Sequence, residues 1–164
     1  LKSWASSHFY RYYERSHGLM TSFVLERVLS HMRRITVDHD RNAPRVFLYS
    51  GHDTTIMPLL LSLGVIDSER AGDEGEWPPY SSHIRLELLQ KDEVYDDEEF
   101  AVRVVYNGRV VAPGRDGRNA TAGVAGLSSF EKHLQALTDA YDGDLAAACT
   151  SSTKSHQNPF QDAR

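Results

Sequence analysis

The sequence of 164 residues has one cysteine, Cys149, and no long hydrophobic run. A single cysteine leaves no Cys-x-x-Cys motif, and the chain also lacks a Gly-rich phosphate loop and a Gly-x-Ser-x-Gly nucleophile elbow. The longest apolar stretch, residues 57–61, is far shorter than the roughly 20 residues that a helix needs to cross a bilayer. We therefore expect no membrane span in this chain.

Basic residues are also in the minority, since 18 Lys and Arg face 23 Asp and Glu, for a formal net charge of −5. This balance argues against a nucleic-acid-binding surface. The histidines have no zinc-like spacing: His31 and His39 are too far apart, and His52 is isolated from both. We interpret His83 as structural on a strand and His133 as exposed on a helix. No metal or other cofactor is expected.

The most informative stretch is residues 46–55, where an apolar run stops at Gly51 and two titratable residues, His52 and Asp53, follow. The run is typical of a strand buried on both faces of a parallel sheet. An amphipathic helical pattern comes next, and Gly64 suits the position after its end. The pattern predicts a strand over 45–50, a turn over 51–53 and a helix over 54–63.

This placement of His52 and Asp53 suggests phosphate chemistry. Ligands of open α/β sheets bind beyond the carboxyl ends of the strands. The N-terminus of the following helix offers N–H groups and a positive dipole end to an anion. In such a crevice His52 could hold a phosphate while Asp53 delivers a proton.

The remaining pattern predicts an α/β fold with an antiparallel meander at one sheet edge. Apolar residues alternate over 84–88 and 100–104, Asn107-Gly108 favours a type I′ hairpin turn, and 109–112 returns as a short strand. Residues 113–126 are interpreted as a loop, and helices are expected over 19–35 and 128–141. One buried-strand candidate is too few for an independent doubly wound sheet, so further strands are expected from elsewhere.

The stretch around His52 and Asp53, with Leu59-Leu60 and Leu63-Gly64 after it, resembles the second signature of the histidine acid phosphatases. The likeness covers roughly residues 18–112, and within the family the sequence most resembles the lysophosphatidic acid phosphatase branch. It implies the C-terminal portion of a three-layer αβα sandwich over residues 1–144, followed by a polar tail over 145–164. The segments that carry it are Tyr49-Ser50-Gly51-His52-Asp53-Thr54-Thr55, Trp77-Pro78-Pro79-Tyr80-Ser81-Ser82, Glu87-Leu88 and Val105-Tyr106-Asn107-Gly108.

The resemblance implies hydrolysis of phosphomonoesters through a phosphohistidine intermediate. Asp53 would be the general acid and His52 a contact to the phosphoryl group, while the nucleophilic histidine would belong to an Arg-His-Gly motif. This chain has no such motif, because Ser16 interrupts Arg15-Ser16-His17-Gly18. We interpret His17 as a polar residue at a helix start. The nucleophile is expected in an N-terminal part of the same enzyme, and the chain alone is expected to be inactive.

A second class remains open: a non-catalytic relative of the same fold that binds an anionic ligand or an interaction partner. The presence of both His52 and Asp53 favours the enzyme. Asn119-Ala120-Thr121 is a possible glycosylation acceptor, which suggests a lumenal or extracellular location. The resemblance implies that Cys149 pairs with a cysteine of the N-terminal part, with a free thiol as the alternative. The polar tail is compatible with a linker to an anchor or with a plain terminus.

Overall fold

The computed structural model describes residues 2–66, 77–95, 98–111, 123–139 and 147. Three helices and four strands lie in these ranges. In chain order they are α1 (Lys2–Thr36), α2 (Asp53–Ser62), β1 (Ile84–Tyr95), β2 (Glu98–Tyr106), β3 (Arg109–Val111), β4 (Val124–Gly126) and α3 (Leu127–Asp139). This mixed α/β architecture with an antiparallel sheet agrees with the predicted fold class.

The sheet is organised around β2. Strand β1 pairs antiparallel along one edge of β2, from Ile84 opposite Tyr106 to Gln90 opposite Phe100. The other edge is shared, because β3 pairs with residues 104–106 of β2 and β4 pairs with residues 101–103. The predicted meander is therefore confirmed. Strand β4 lies within the segment that we predicted to be a loop; three residues are too few to show a period-two pattern.

The turn between β2 and β3 has the predicted geometry. Asn107 and Gly108 have φ angles of 48° and 80°. Positive φ at both central positions is the requirement of a type I′ turn, which matches the twist of the flanking strands. Asn107 also holds the start of β1, since its Oδ1 accepts the His83 N–H at 2.9 Å and its Nδ2 donates to Ser82 Oγ at 3.2 Å.

The main hydrophobic core lies between α1, the sheet and α3. Its residues recur at helical spacing on both helices and at alternate positions on β2. Full burial of each large side chain contributes about 1.5–3 kcal/mol relative to exposure. The buried members are Leu25, Leu29, Met32, Leu63, Val102, Val104, Phe130 and Leu134. A smaller cluster joins Tyr13 of α1 to Met57 and Leu61 of α2, with Ile66 and Trp77 packed against it.

Helix α2 matches its prediction to within one residue at each end. Gly64 has φ 65°, and the Val65 N–H donates to the Leu60 carbonyl at 2.9 Å. This left-handed glycine after the last turn satisfies orphan carbonyls of the helix, as we predicted for Gly64.

The predicted strand over 45–50 is wrong for this chain. Residues 46–52 have no regular secondary structure, and Val46 and Leu48 are 82% and 95% exposed. A strand requires a neighbour that pairs with its backbone, and the described part of the chain supplies none here. We call residues 46–49 the apolar segment.

The predicted start of the first helix, at residue 19, is also wrong. Helix α1 runs unbroken from Lys2 to Thr36, with Gly18 buried inside it and His17 more than three turns from its start. An internal glycine costs a helix only about 1 kcal/mol, which tertiary packing readily offsets.

None of the described helices has the length and hydropathy needed to span a membrane.

Several predictions lie outside the described residues. These are the acceptor Asn119, the boundary at 144–145 and Cys149 with the polar tail. They stay predictions.

Candidate functional site

His52 and Asp53 lie side by side at the N-terminal end of α2. His52 is the residue before the helix, with extended φ and ψ of −112° and 173°, and Asp53 is the first helical residue. The His52 carbonyl accepts the N–H groups of Thr55 and Ile56 at 2.9 and 3.0 Å, which closes the first turn. Both side chains are exposed. The structure thus places the two predicted site residues together at a solvent-accessible helix terminus.

The first turn of α2 has fewer available N–H groups than we expected. The Thr54 N–H donates to Asp53 Oδ1 at 2.8 Å, while those of Thr55 and Ile56 already donate to His52. An anion at this terminus would therefore depend on His52 and on the positive end of the helix dipole. We expected free N–H groups of the first turn to bind the ligand. For Thr54, Thr55 and Ile56 this is wrong, because their N–H groups already have acceptors.

The carboxyl group of Asp53 is held through both of its oxygens. Oδ1 accepts the Thr54 N–H at 2.8 Å, and Oδ2 accepts the indole N–H of Trp77. The bond from Trp77 is the largest influence that lowers the pKa of Asp53, followed by the Thr54 amide and the positive field of His52, while partial desolvation opposes them. Without a ligand, Asp53 is consequently ionised at neutral pH. A neighbouring phosphate would shift its pKa upward.

Trp77 is a site residue that our chemical interpretation of the sequence missed. Its ring is half-buried against the smaller hydrophobic cluster, 6.1 Å from the ring of Tyr13 at an interplanar angle of 37°. In the sequence, Trp77 stands out only as part of the resemblance. Its contact with Asp53 spans 24 positions of the sequence, and no local pattern encodes such a contact.

Gly51 lies between the apolar segment and His52. Its φ does not lie in the left-handed region, where the described glycines are Gly64, Gly108 and Gly123. Instead, a Cβ at position 51 would lie 3.2 Å from both Cβ and Oγ1 of Thr55. Gly51 therefore makes room for the Thr55 side chain, whose Oγ1 lies 3.5 Å from the His52 N–H.

The C-terminal end of α2 is fixed by a network of hydrogen bonds around Ser62, which is completely buried. Thr21 Oγ1 donates to the His17 carbonyl at 2.8 Å, so its oxygen accepts from Ser62 Oγ at 2.6 Å. Ser62 Oγ in turn accepts from His17 Nδ1 at 2.8 Å. His133 Nε2 donates to the Ser62 carbonyl at 2.7 Å. We call these four residues the Ser62 network.

The Ser62 network corrects two interpretations. His133 is half-buried and anchors α3 to α2 instead of facing solvent. His17 lies within α1 and holds α1 to α2, so the interpretation of it as a residue at a helix start is wrong. Within the described ranges, no three His, Cys, Asp or Glu side chains come together in an arrangement that could bind a metal.

The chain belongs to the histidine phosphatase superfamily, branch 2, whose family model matches residues 7–107. The matched region includes most of α1, the His52-Asp53 turn, Trp77 and the strands up to Asn107. The family prediction is confirmed, and the mixed α/β architecture is consistent with a histidine-phosphatase-type fold.

Among individual proteins, the chain is similar to lysophosphatidic acid phosphatase type 6. The Bos taurus protein is 35% identical over 94 residues, which are 57% of this chain and 19% of that protein. The Mus musculus protein is 35% identical over 69 residues, 42% of this chain and 14% of that protein. Human 2-phosphoxylose phosphatase 1 is 32% identical over 85 residues, 52% of this chain and 15% of that protein.

The chain thus matches less than a fifth of the length of these relatives. No solved structure matches it.

Proposed function

We propose that this chain is part of a phosphomonoester hydrolase to which it contributes His52 and Asp53. The observation that carries the proposal is the geometry at the start of α2. A carboxyl group with fixed orientation and an imidazole lie exposed at the positive end of a helix. Membership of the histidine phosphatase superfamily and similarity to proteins named as phosphatases support it.

In the proposed reaction, a histidine nitrogen attacks phosphorus and forms a P–N bond while the P–O bond to the alcohol breaks. Asp53, protonated in the complex, gives its proton to the departing oxygen, and His52 contacts the phosphoryl oxygens. Water then attacks phosphorus, the P–N bond breaks and phosphate leaves, while the proton of the water returns to the Asp53 carboxylate. A positioned general acid of this kind contributes about 10²–10⁴-fold to the rate.

We further propose that the nucleophilic histidine comes from an Arg-His-Gly motif in an N-terminal part of the same enzyme. The apolar segment supports this, because it runs directly into His52 and exposes Val46 and Leu48 almost fully. Packing of such side chains against a partner contributes about 1.5–3 kcal/mol each. A complementary part that covers the segment would also approach His52 and Asp53.

The substrate proposal stops at the class of phosphomonoesters. The relatives are named for two different compounds, lysophosphatidic acid and 2-phosphoxylose. For location we propose the secretory pathway, on the basis of the acceptor Asn119 and the single Cys149. Mass spectrometry of the unreduced full-length protein tests the location through a Cys149 disulfide and a glycan at Asn119.

The proposal is tested by p-nitrophenyl phosphate turnover at acid pH. We expect activity in the full-length protein, little in Asp53→Ala or His52→Ala, and none in residues 1–164 alone. His83→Ala is the matched control, since this exposed histidine is held through its backbone N–H. Turnover in residues 1–164, or full activity of Asp53→Ala, would contradict the proposal. Phosphate binding without turnover in the full-length protein would favour the non-catalytic alternative.

A further inference from the structure

We propose that Trp77 is a positioning residue for Asp53, whose carboxyl group it orients through the indole N–H for proton transfer to the leaving group. The catalytic part of this inference rests on the proposed function above. The structural part concerns the contact between Trp77 and Asp53 and stands independently.

The need for such a residue follows from the exposure of Asp53. A carboxylate at an exposed helix terminus can rotate about its side-chain bonds unless donors hold it. The Thr54 N–H binds Oδ1 from within the same turn, and the Trp77 indole binds Oδ2 from a segment 24 residues further along the chain. Two donors on two different oxygens fix the plane of the carboxyl group. The second of them is a tertiary contact, so the orientation depends on how Trp77 is held.

Trp77 is itself held on two sides. Its ring packs against the cluster of Tyr13, Met57 and Leu61, so it rests on the same helix that carries Asp53. The next residue, Pro78, is buried. A few residues later the chain is tied to the β2–β3 turn, where Asn107 binds Ser82 and the His83 N–H. Trp77 thus presents its N–H from a segment fixed at both ends.

The chemistry of indole suits this role. An indole N–H donates a hydrogen bond but neither accepts one nor titrates. Trp77 can therefore orient the carboxyl group without competing for its proton. Among the described residues, His52 is the titratable neighbour that acts on Asp53, and the hydrogen bonds to its carboxyl group come from uncharged donors. The indole bond favours the ionised form of Asp53. The carboxyl group would therefore take up its proton only when an anionic phosphate binds beside it and raises its pKa.

The decisive variant replaces Trp77 with β-(3-benzothienyl)alanine. This analogue keeps the shape of the ring system but has sulfur in place of the N–H group, so packing is retained while the hydrogen bond is lost. Trp77→Phe is a second variant, and Tyr80→Phe is the matched control because Tyr80 is a fully exposed aromatic residue of the same segment.

The first measurement is an NMR titration of residues 1–164. The chain has two tryptophans, so the indole peak of Trp77 is identified by its loss in Trp77→Phe. We expect this peak to shift with the same midpoint as the Asp53 carboxyl carbon and to lose that step in Asp53→Asn. In the benzothienyl variant the pKa of Asp53 should rise, and in Tyr80→Phe it should stay unchanged. An indole peak insensitive to the Asp53 titration, or an unchanged pKa in the benzothienyl variant, overturns the proposal.

The second measurement is steady-state kinetics of the full-length protein with an alkyl phosphate. We expect the benzothienyl variant to lose about 10-fold in kcat at nearly constant KM, within the range that general-acid catalysis supplies. The limb of kcat/KM that reports Asp53 should move to higher pH by the shift measured by NMR. An unchanged kcat and pH profile would refute the catalytic part. If the wild-type protein shows no turnover, the proposed function fails, while the NMR result still decides the contact.

Discussion

The two ends of helix α2 differ in burial and in how they are held. At the C-terminal end, Ser62 is completely buried and bonds to side chains from α1 and α3. At the N-terminal end, His52 and Asp53 are exposed, and a single side chain from outside the helix, Trp77, is seen to bind Asp53 within the described part of the chain.

This difference indicates that the two ends of the ten-residue helix have different roles. The Ser62 network fixes where α2 lies relative to the two other helices, around the buried side chains of Ser62 and Thr21. The exposed end then carries the proposed reactive groups, His52 and Asp53, on a helix whose position is already fixed. A site on a rigid element is held more precisely than one on a loop, which is an advantage for proton transfer.

The largest effect is expected at the exposed end. In the full-length protein, Asp53→Asn removes the proposed proton donor and should lower turnover of an alkyl phosphate by about 10²–10⁴-fold. Turnover of p-nitrophenyl phosphate should fall much less, because that leaving group needs little protonation. Phosphate binding should be largely retained. The comparison requires kcat for both substrates; equal losses would show that Asp53 does not donate the proton.

The next effect is expected at the buried end and concerns stability. Ser62→Ala leaves buried Thr21 Oγ1 without its donor and removes the acceptor of the half-buried His17 Nδ1. This should cost about 1–3 kcal/mol of unfolding free energy. Ser22→Ala is the control, since the buried Ser22 hydroxyl donates to the Leu19 carbonyl within its own helix. Urea unfolding of residues 1–164 measures both. Equal losses of unfolding free energy in the two variants would mean that the Ser62 network does not hold α2 to α1 and α3.

A smaller, pH-dependent effect on stability is expected at His31 of α1, which contacts the apolar segment. The ring of His31 stacks on Phe47 with a centroid distance of 3.5 Å, and its Nε2 lies 3.0 Å from the Tyr49 hydroxyl. Its Nδ1 is buried and has no hydrogen-bond partner among the described residues. Burial, then the positive charges of Arg27 and Arg34, lower the pKa of His31. Protonation would add a donor that nothing in this part of the structure satisfies.

The sign of the pH effect follows from that lowered pKa. As pH falls below the unfolded value of about 6.5, the unfolded chain binds a proton before the folded chain does. Stability that is present above this pH is therefore lost as pH falls toward the folded pKa of His31. Urea midpoints between neutral and mildly acid pH should fall less steeply for His31→Gln than for wild type. His39→Gln, at an exposed histidine, should follow the wild-type slope; a parallel slope for His31→Gln would refute the link.

The smallest effect is expected for Gly51→Ala. The added Cβ would crowd Thr55 at 3.2 Å, but φ at this position is not strained and Thr55 is exposed and can shift. Reduced freedom of the unfolded chain offsets part of the cost. We expect a net change within about 0.5 kcal/mol by urea unfolding. Ser50→Ala is the neighbouring control, and a loss far beyond it would mean that Thr55 is held more firmly than its exposure indicates.

The local parts of the fold could be predicted from sequence. Helix α2 follows from its apolar spacing and from Gly64, and the hairpin follows from Asn107-Gly108, because these features depend on residues within one or two turns of each other. The position of His52 and Asp53 at the start of α2 is of the same kind. Their catalytic roles remain predictions.

The features that were missed or wrongly predicted depend on contacts between residues far apart in the sequence. The contacts of Ser62 with Thr21, His17 and His133 span 41, 45 and 71 positions, and periodicity carries no information about such pairs. The apolar run over 46–49 was interpreted as a buried strand because its composition is typical of one. Composition specifies what a strand prefers, but pairing requires a neighbour that the described chain does not contain.

The exposed apolar segment has a consequence for biosynthesis. Val46, Phe47, Leu48 and Tyr49 form a short, uncharged run with high β-propensity, the kind of sequence that adds to any unpaired strand edge it meets. Before the proposed N-terminal part covers it, we expect the segment to promote aggregation. Arg45 immediately before it, and His52 and Asp53 just after it, stand where charged gatekeepers suppress such self-association. The same Asp53 proposed to serve catalysis would then also help keep the unassembled polypeptide in solution.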